Sequence, residues 1–505
     1  MPTSQNITSK VVVSGLWSYL RISFSTIFHL VVMAILARIL DPKDFGIVAL
    51  ASVILRVLVI LGEEGFSQYI IYYNGEEKEK RAYAAFWLNF LFSTSASTFA
   101  FALLPVVGHI YGEPKIKKIL MLLIVRFFIE SFSYIPDCLL KKRLDFKKLE
   151  IRNFIVDFIS GIFSVIMALL GYGVWSLVIP SLVLSPTRFL ISTITLSWFP
   201  KFSFYTESWK EIFNYSKHLI GATVTSLLLT EGDTLLIGKL LDVKNLGIYN
   251  LAFRNANMTV KNLSMIANKI SFPTFSLVNK DLKKVYQGWV RMERLLATIS
   301  FFILTFLFVF AEEFILGVYG EKWIDSIIPF RILIIFSLRQ SVGNVTGSIF
   351  RTVGRTDLSL KLGLFVLPFY LAGIYIGSFW GIIGVASGVT LVRTSLGMVN
   401  FYLVGKCLQE SFLAIVKPLF KPLQNIFYFA IGLVFFKYLI LEAFSSPLFG
   451  NFIFRLIVSF LYSVFLYFFL IRIFFPELGK EIYLVLEPLS GKRKNIFAKL
   501  LNIKN

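Results

Sequence analysis

The sequence is short of the residues that water-soluble proteins place on their surfaces. Only 16% of its 505 residues are charged, whereas soluble domains carry about 25%. It has two cysteines, too few for a disulfide framework. Its three histidines, His29, His109 and His218, are too far apart in the sequence for metal-ligand spacing. We therefore expect no disulfide-stabilised secreted domain, no metal site and no cofactor.

Apolar residues dominate the composition. Hydrophobic residues make up 56% of the chain, and the mean hydropathy is +0.73. The 51 Lys and Arg outnumber the 30 Asp and Glu, which gives a net charge of +21. A basic nucleic-acid-binding protein would cluster those cations on hydrophilic surfaces, whereas here charge-poor stretches recur along the whole chain. The composition therefore predicts a membrane protein without a nucleic-acid partner.

Apolar runs of about 20 residues, long enough to cross a bilayer as helices, recur about fourteen times. They are continuously apolar, which favours helices over a barrel, so we expect an all-α polytopic fold. The first run is too long for a signal peptide and carries Arg21 and His29. The expected spans are 12–37, 45–61, 83–107, 117–136, 153–170, 172–196, 213–238, 246–270, 295–311, 326–349, 359–378, 380–404, 424–441 and 452–471.

Lys and Arg between the spans predict the orientation. With both termini cytoplasmic, 30 of the 51 cations fall on the cytoplasmic side and 8 on the opposite side. The loop from Lys141 to Arg152 and the tail residues 492–494 contribute strongly. Because cytoplasmic loops carry the excess of Lys and Arg, we expect both termini to be cytoplasmic.

The sequence also repeats itself. Residues 38–51 (RILDPKDFGIVALA) align with residues 239–252 (KLLDVKNLGIYNLA), with seven of fourteen positions identical. Tyr-Gly-Glu occurs at 111–113 and again at 319–321. We expect two parallel six-helix lobes around a central cavity, followed by two additional helices, an organisation suited to alternating access. The expected domains are residues 1–200 and 201–405 for the two lobes, 406–475 for the additional helices and 476–505 for a basic cytoplasmic tail.

Several of these motifs resemble a known family. The segment 36–46 (LARILDPKDFG) is similar to the signature LARxLxPxxFG of Wzx-type polysaccharide-export flippases. The segment 233–239 followed by 246–249 resembles the second-half signature of that family. Further resemblances occur at 272–273, 319–323 and 354–355. Together they cover roughly residues 10–405 and indicate the multidrug/oligosaccharidyl-lipid/polysaccharide exporter superfamily.

The resemblance implies a function and a location. Such a protein would move undecaprenyl-pyrophosphate-linked repeat units from the cytoplasmic to the outer leaflet of a bacterial inner membrane. The products would be O-antigen, capsule or exopolysaccharide, and other polysaccharide export proteins are possible partners. The main alternative is a peptidoglycan lipid II flippase. A drug/cation antiporter fits the cationic interior poorly, and a membrane-embedded polymerase or glycosyltransferase would need a larger external loop than this chain has, so we expect no enzyme.

Charges inside the spans predict the substrate site. Thirteen cations and five acids, Glu130, Asp137, Asp157, Glu231 and Asp233, fall within the predicted spans or directly at their ends. An ionised group at the bilayer centre costs at least about 2.5–3.5 kcal/mol, so such groups face water or the bundle interior. The excess of cations favours an anionic ligand, and guanidinium groups suit a pyrophosphate. The predicted headgroup-binding residues are Arg21, Arg56, Arg126, Arg254, Arg331 and Arg339.

The remaining charges admit two interpretations. Glu231 and Asp233 are two residues apart on one predicted helix and so point about 200° apart. One of them could bind a coupling proton or sodium ion, or both could be counter-ions of nearby cations. Four further cations lie near span ends, from which they can reach the interface. These are Lys217, Lys269, Lys437 and Arg455.

Overall fold

The computed structural model describes residues 24–60, 65–73, 77–143, 145–441 and 451–479. These residues form helices joined by short turns and contain no strand, so the predicted all-α class is confirmed. In chain order the helices are α1 (Phe24–Ile39), α2 (Pro42–Val59), α3 (Gly65–Tyr72), α4 (Lys78–Tyr111), α5 (Pro114–Lys142), α6 (Phe146–Leu169), α7 (Ile179–Val183), α8 (Ser185–Leu196), α9 (Trp209–Leu240), α10 (Val243–Leu277), α11 (Leu282–Val309), α12 (Ala311–Val318), α13 (Ile327–Ser341), α14 (Thr346–Thr352), α15 (Asp357–Ser378), α16 (Gly381–Leu408), α17 (Phe412–Val416), α18 (Phe420–Phe436) and α19 (Phe452–Phe474).

Within the described residues, ten helical segments are long and apolar enough to cross a membrane. The predicted number of fourteen is therefore not confirmed, although the polytopic architecture is. The other four predicted spans are the first, second, seventh and eighth, which correspond to α1, α2, α9 and α10. They are the first two helices of each predicted repeat. They also hold Arg56, Glu231, Asp233 and Arg254, so the less apolar helices coincide with much of the predicted site.

The chain separates into two compact units, residues 1–247 (unit 1) and 248–505 (unit 2). In unit 1, α5 packs against α2, α3, α4 and α8. The unit 1 core is rich in aromatic side chains, and the rings of Tyr83 and Trp198 stack with centroids 5.5 Å apart. The predicted lobe boundaries at residues 200 and 405 divide the chain by sequence repeat, and they stay a prediction. Residues 480–505 of the predicted tail lie outside the described residues.

Unit 2 is organised around α11, which packs against α13 and α18. One core cluster joins α11 to α14 and α16, and a second joins α11 to α18 and α19. By contrast, only 17% of the residues in the apolar stretch of α15 are buried. Its exposed side chains include Leu364, Phe365 and Phe369, a surface that suits lipid rather than water.

A buried ion pair connects α12 to the C-terminal end of α18. Lys437 Nζ lies 2.8 Å from Glu313 Oε1, and the two side chains are 8% and 2% exposed. The expectation that Lys437 extends to the membrane interface is therefore wrong. The hydropathy pattern also ended the ninth span before Glu313, whereas α12 continues past it as a second helix. The charge of Lys437 is neutralised inside unit 2.

The repeated segment has the same local structure in both copies. One helix ends, two residues follow that are outside any helix, and the next helix begins at Pro42 in the first copy and at Val243 in the second. Gly46 and Gly247 are equivalent positions of the repeat, and a Cβ on Gly46 would lie 1.7 Å from the Val243 carbonyl oxygen. A Cβ on Gly247 would lie 1.9 Å from the Pro42 carbonyl oxygen. The contact is reciprocal, so both glycines permit the close approach of α2 and the first turn of α10 within unit 1.

Candidate functional site

Two residues of the predicted site form an ion pair in unit 1. A guanidinium nitrogen of Arg56 on α2 donates to the carboxylate of Glu231 on α9. The Arg56 side chain is 57% exposed, and that of Glu231 is 21% exposed. The sequence assigned these residues to headgroup binding and to ion coupling respectively. The two side chains to which these roles were assigned are therefore in contact. Arg21, the other predicted cation near this end of the chain, lies outside the described residues.

Asp233 is placed differently from Glu231. It is 1% exposed, and its Oδ1 accepts a hydrogen bond of 2.8 Å from the backbone N–H of Thr234. The two acids therefore face different surroundings, as their spacing on a helix predicted. Glu231 is paired with Arg56, a predicted headgroup-binding cation.

Arg126 belongs to a second group of charges in unit 1. Its Nε donates to Glu130 Oε1 at 3.0 Å, and its Nη1 donates to Ser181 Oγ at 3.1 Å. Arg188 on α8 lies 3.5 Å from the same Glu130 oxygen and 3.1 Å from Asp157 Oδ1 on α6. One carboxylate thus contacts two guanidinium groups, and the interaction joins three helices.

The same group includes Arg152, which the sequence placed in a cytoplasmic loop. That expectation is wrong, because Arg152 lies in α6 and its side chain is 4% exposed. Its Nη2 donates to Asp137 Oδ2 on α5 at 2.9 Å. Ser192 Oγ on α8 donates to Asp137 Oδ1 at 2.7 Å. Hydropathy ended the span at the charged residues, whereas ion pairing allows them inside the helix.

Five of these residues, Glu130, Asp137, Arg152, Asp157 and Arg188, line a cavity of about 230 Å³, which we call the α5–α6–α8 cavity. The sequence contained a signal for it, because the lining residues 130, 133, 134 and 137 follow helical spacing on one face of α5. Three cations and three carboxylates line the cavity, so their formal charges cancel. The charged lining residues are Lys141, Arg152, Arg188, Glu130, Asp137 and Asp157. Arg126 is not part of the lining, but it contacts the lining residue Glu130.

Unit 2 contains three of the predicted headgroup-binding residues. Arg254 on α10 is exposed and lies next to Asn255, which accepts a hydrogen bond of 2.7 Å from the Tyr319 hydroxyl. Arg331 on α13 is half-buried and forms no ion pair with any described carboxylate. Arg339, also on α13, donates to the Gly397 carbonyl and lies 5.3 Å from the centroid of the Phe401 ring. Arg339 is thus held against α16, whereas the side chain of Arg254 is exposed.

A set of hydrogen bonds between α10 and the α13–α14 segment was not foreseen from the sequence. Each pair joins residues 80 positions apart. Asn257 and Ser337 are 3.5 Å apart, and Ser348 Oγ lies 3.0 Å from Asn268 Oδ1. Asn344 Nδ2 donates to Ser264 Oγ at 2.5 Å. The constant separation shows that the two segments run in parallel register. The polar side chains of Asn257 and Asn268 on α10 thereby have hydrogen-bond partners on the neighbouring segment.

No group of His, Cys, Asp and Glu suited to a metal ion occurs among residues 24–60, 65–73, 77–143, 145–441 and 451–479.

The fold is shared with membrane transporters of known structure. Lipid II flippase MurJ in an inward closed conformation superposes with a TM-score of 0.72 at 16% identity, covering 92% of this chain and 99% of that chain. An inward-facing MATE family transporter of the MOP superfamily gives 0.62 at 15% identity, covering 76% and 94%. These similarities establish a polytopic fold of the MurJ and MATE type.

Sequence comparison identifies the family within that fold. The profile of the family described as "Polysaccharide biosynthesis protein" matches residues 35–328, more than half of the chain. The chain belongs to this family. Teichuronic acid biosynthesis protein TuaB of Bacillus subtilis is 24% identical over 82% of this chain and 87% of its own length. Lipopolysaccharide biosynthesis protein WzxC of Escherichia coli is 24% identical over 85% and 89%, and succinoglycan biosynthesis transport protein ExoT of Rhizobium meliloti is 23% identical over 61% and 62%.

These findings confirm the family resemblance seen in the sequence. They also confirm that the chain is of the transporter class and not an enzyme. It is a polytopic inner-membrane protein.

Proposed function

We propose that the protein moves undecaprenyl-diphosphate-linked polysaccharide repeat units from the cytoplasmic to the outer leaflet by alternating access, with both termini cytoplasmic. Family membership supports a polysaccharide precursor as the substrate. The relatives are named for teichuronic acid, lipopolysaccharide and succinoglycan biosynthesis. The sequence repeat supports two parallel lobes. The lipid II alternative is not favoured, because MurJ shares the fold at only 16% identity.

The observation that carries the proposal is an exposed guanidinium on one of the less apolar helices. Arg56 lies 15 residues into α2, and its side chain is 57% exposed. Exposure to hydrocarbon would be costly for a charged side chain, so the guanidinium faces water or a polar ligand. Arg254 on α10, which belongs to unit 2, also has an exposed side chain. Both can offer two parallel N–H groups to a phosphate.

Glu231 fits this proposal as the resident counter-ion of Arg56. When the diphosphate binds the guanidinium, it competes with the Glu231 carboxylate for the same donors. A carboxylate released from its cation is a better proton or cation acceptor than a paired one. Headgroup binding and ion binding would then be linked through Arg56. Arg126 and Arg331 remain proposed supporting contacts, with Arg126 the weaker one because Glu130 already neutralises it.

Alanine at Arg56 or Arg254 is expected to lower transport by at least about tenfold, the effect of losing roughly 1.4 kcal/mol of charge-assisted binding. The measurement is delivery of the lipid-linked repeat unit to the outer leaflet, in cells that produce equal amounts of each variant. The precursor should accumulate on the cytoplasmic side.

Lys284→Ala is the matched control for these substitutions. It also removes one positive charge, but from a 67% exposed side chain paired with Asp281 near the start of α11. Its transport should equal that of the wild type. Normal transport by both Arg56→Ala and Arg254→Ala would refute the headgroup assignment.

A further inference from the structure

Unit 2 contains a buried acid that the sequence placed in a loop. Glu293 is the twelfth residue of α11 and is 1% exposed. Its Oε2 accepts a hydrogen bond of 2.8 Å from the backbone N–H of Gly343. Its Oε1 is buried and has no hydrogen-bond partner among the described residues. One of the two carboxyl oxygens is therefore unsatisfied inside a membrane-spanning helix.

The surroundings of Glu293 are largely apolar. Trp289 and Leu296 lie about one turn away on the same helix and belong to the core cluster that includes Val345 and Phe401. Arg339 of α13 is the charged group whose electrostatic field reaches Glu293. The two side chains form no ion pair, because the guanidinium donates to the Gly397 carbonyl instead. The Nε of Arg339 is itself buried and has no partner among the described residues.

Two other charged side chains on helices packed against α11 are engaged elsewhere. Arg393 of α16 lies 4.3 Å from the centroid of the Tyr370 ring and 5.2 Å from that of Phe336. Lys421 of α18 is half-exposed and pairs with Glu477. Among the described residues, Arg339 is the charged group whose field acts on Glu293.

Burial decides which form of the acid this site accommodates. An ionised carboxylate removed from water is strongly destabilised even with the backbone N–H groups of Gly343 and Val345 beside it. The neutral acid avoids that cost and can use its O–H as a donor. The described arrangement, with Arg339 turned towards Gly397, therefore suits a protonated Glu293.

We propose that Glu293 is a proton-binding site of unit 2 and that its ionisation transfers the Arg339 guanidinium from the Gly397 carbonyl to the carboxylate. The O–H bond of the acid breaks, the proton leaves to water, and the positive charge of Arg339 neutralises the carboxylate. Arg339, Gly397 and Glu293 lie on α13, α16 and α11, so the exchange changes contacts among three helices. Gly397 makes room for it, because a Cβ at that position would lie 2.2 Å from the guanidinium carbon.

The proton site predicts a pH dependence of stability. Unfolded glutamate is ionised above about pH 4.3, whereas the folded state holds the proton. The folded state then binds more protons, so stability falls as pH rises. We expect the Tm of the detergent-purified protein to fall by about 2 °C between pH 6 and pH 8 because of this group. Glu293→Gln, which mimics the neutral acid, should remove that part of the slope, whereas the exposed Glu312→Gln control should keep it.

Arg339→Gln gives a second test of the same site. Without the guanidinium, the ionised carboxylate has no partner, so the fall in Tm with rising pH should become steeper than in the wild type. A purely structural role of Arg339 would lower Tm equally at every pH. The proposal is overturned if Glu293→Gln and the wild type show the same slope, or if Arg339→Gln shifts the whole profile without changing its slope.

Coupling of this proton to transport rests on the proposed function. In vesicles carrying undecaprenyl-diphosphate-linked oligosaccharide, the wild-type rate should change several-fold when a pH gradient is imposed, and Glu293→Gln should be insensitive to it. A gradient response retained by Glu293→Gln overturns the coupling role. If the wild type moves no substrate, the proposed function fails, and the Tm measurements still decide whether Glu293 binds the proton.

Discussion

Alanine at Gly46 is expected to destabilise unit 1 by about 3 kcal/mol or more, the upper range for overpacking a well-packed site. The added Cβ would lie 1.7 Å from the Val243 carbonyl oxygen and 2.9 Å from the backbone nitrogen of Gly247. Both contacts are with backbone atoms of a neighbouring helix, which cannot move aside as the end of a flexible side chain can. The first turns of α2 and α10 would have to separate. A lower Tm and a lower yield of folded protein in membranes are the expected results.

Gly247, the equivalent of Gly46 in the repeat, provides a second variant, and Gly347 in α14 provides a control. Gly247→Ala should have an effect similar to that of Gly46→Ala, because its Cβ would lie 1.9 Å from the Pro42 carbonyl oxygen. Gly347 lies in α14, where an added Cβ would meet nothing within 4 Å. Gly347→Ala should therefore be neutral or stabilising by up to about 1 kcal/mol. Wild-type Tm for both Gly46→Ala and Gly247→Ala would show that α2 and α10 do not approach in this way.

Methionine at Lys437 is expected to lower stability by about 3–5 kcal/mol. The substitution keeps the length of the side chain but removes the cation that lies 2.8 Å from Glu313 Oε1. Glu313 is 2% exposed and would keep an uncompensated buried charge. The effect should appear as a large fall in Tm, measured in detergent or lipid nanodiscs.

A double variant separates the loss of pairing from the loss of packing. Leucine at Glu313 combined with methionine at Lys437 removes both charges, and replacing a buried ion pair by apolar residues is often neutral or stabilising. The double variant should therefore recover most of the Tm lost in Lys437→Met. A double variant as unstable as the single one would mean that the ion pair is not buried as described.

The sequence was sufficient to predict the fold class, the polytopic organisation and the family. Long apolar runs specify membrane helices with few alternatives, and the repeat at residues 38–51 and 239–252 adopts the same break between helices in both copies. Family motifs clustered at helix ends were also informative. These features depend on local patterns, which a single chain displays directly.

Pairing between helices was not visible in the sequence. Arg152, Glu293 and Glu313 were assigned to loops because hydropathy falls at a charged residue, although the helix itself continues or a new one begins. Their acceptance depends on partners such as Asp137, or on the backbone of a distant turn. One pair was accessible, because Arg126 and Glu130 are four residues apart on one helix. The other pairs join different helices, so predicting them requires knowing which helices are neighbours.

Lipid transport by the purified protein tests the central proposal most directly. Vesicles would contain undecaprenyl-diphosphate-linked oligosaccharide in both leaflets, and a membrane-impermeant glycosidase would cleave the sugar on the outer face. Protein-free vesicles should protect about half of the substrate, whereas vesicles containing the protein should lose nearly all of it, and Arg56→Ala should slow that loss. Protection of half of the substrate in the presence of folded wild-type protein, with or without a pH gradient, would contradict the proposed function.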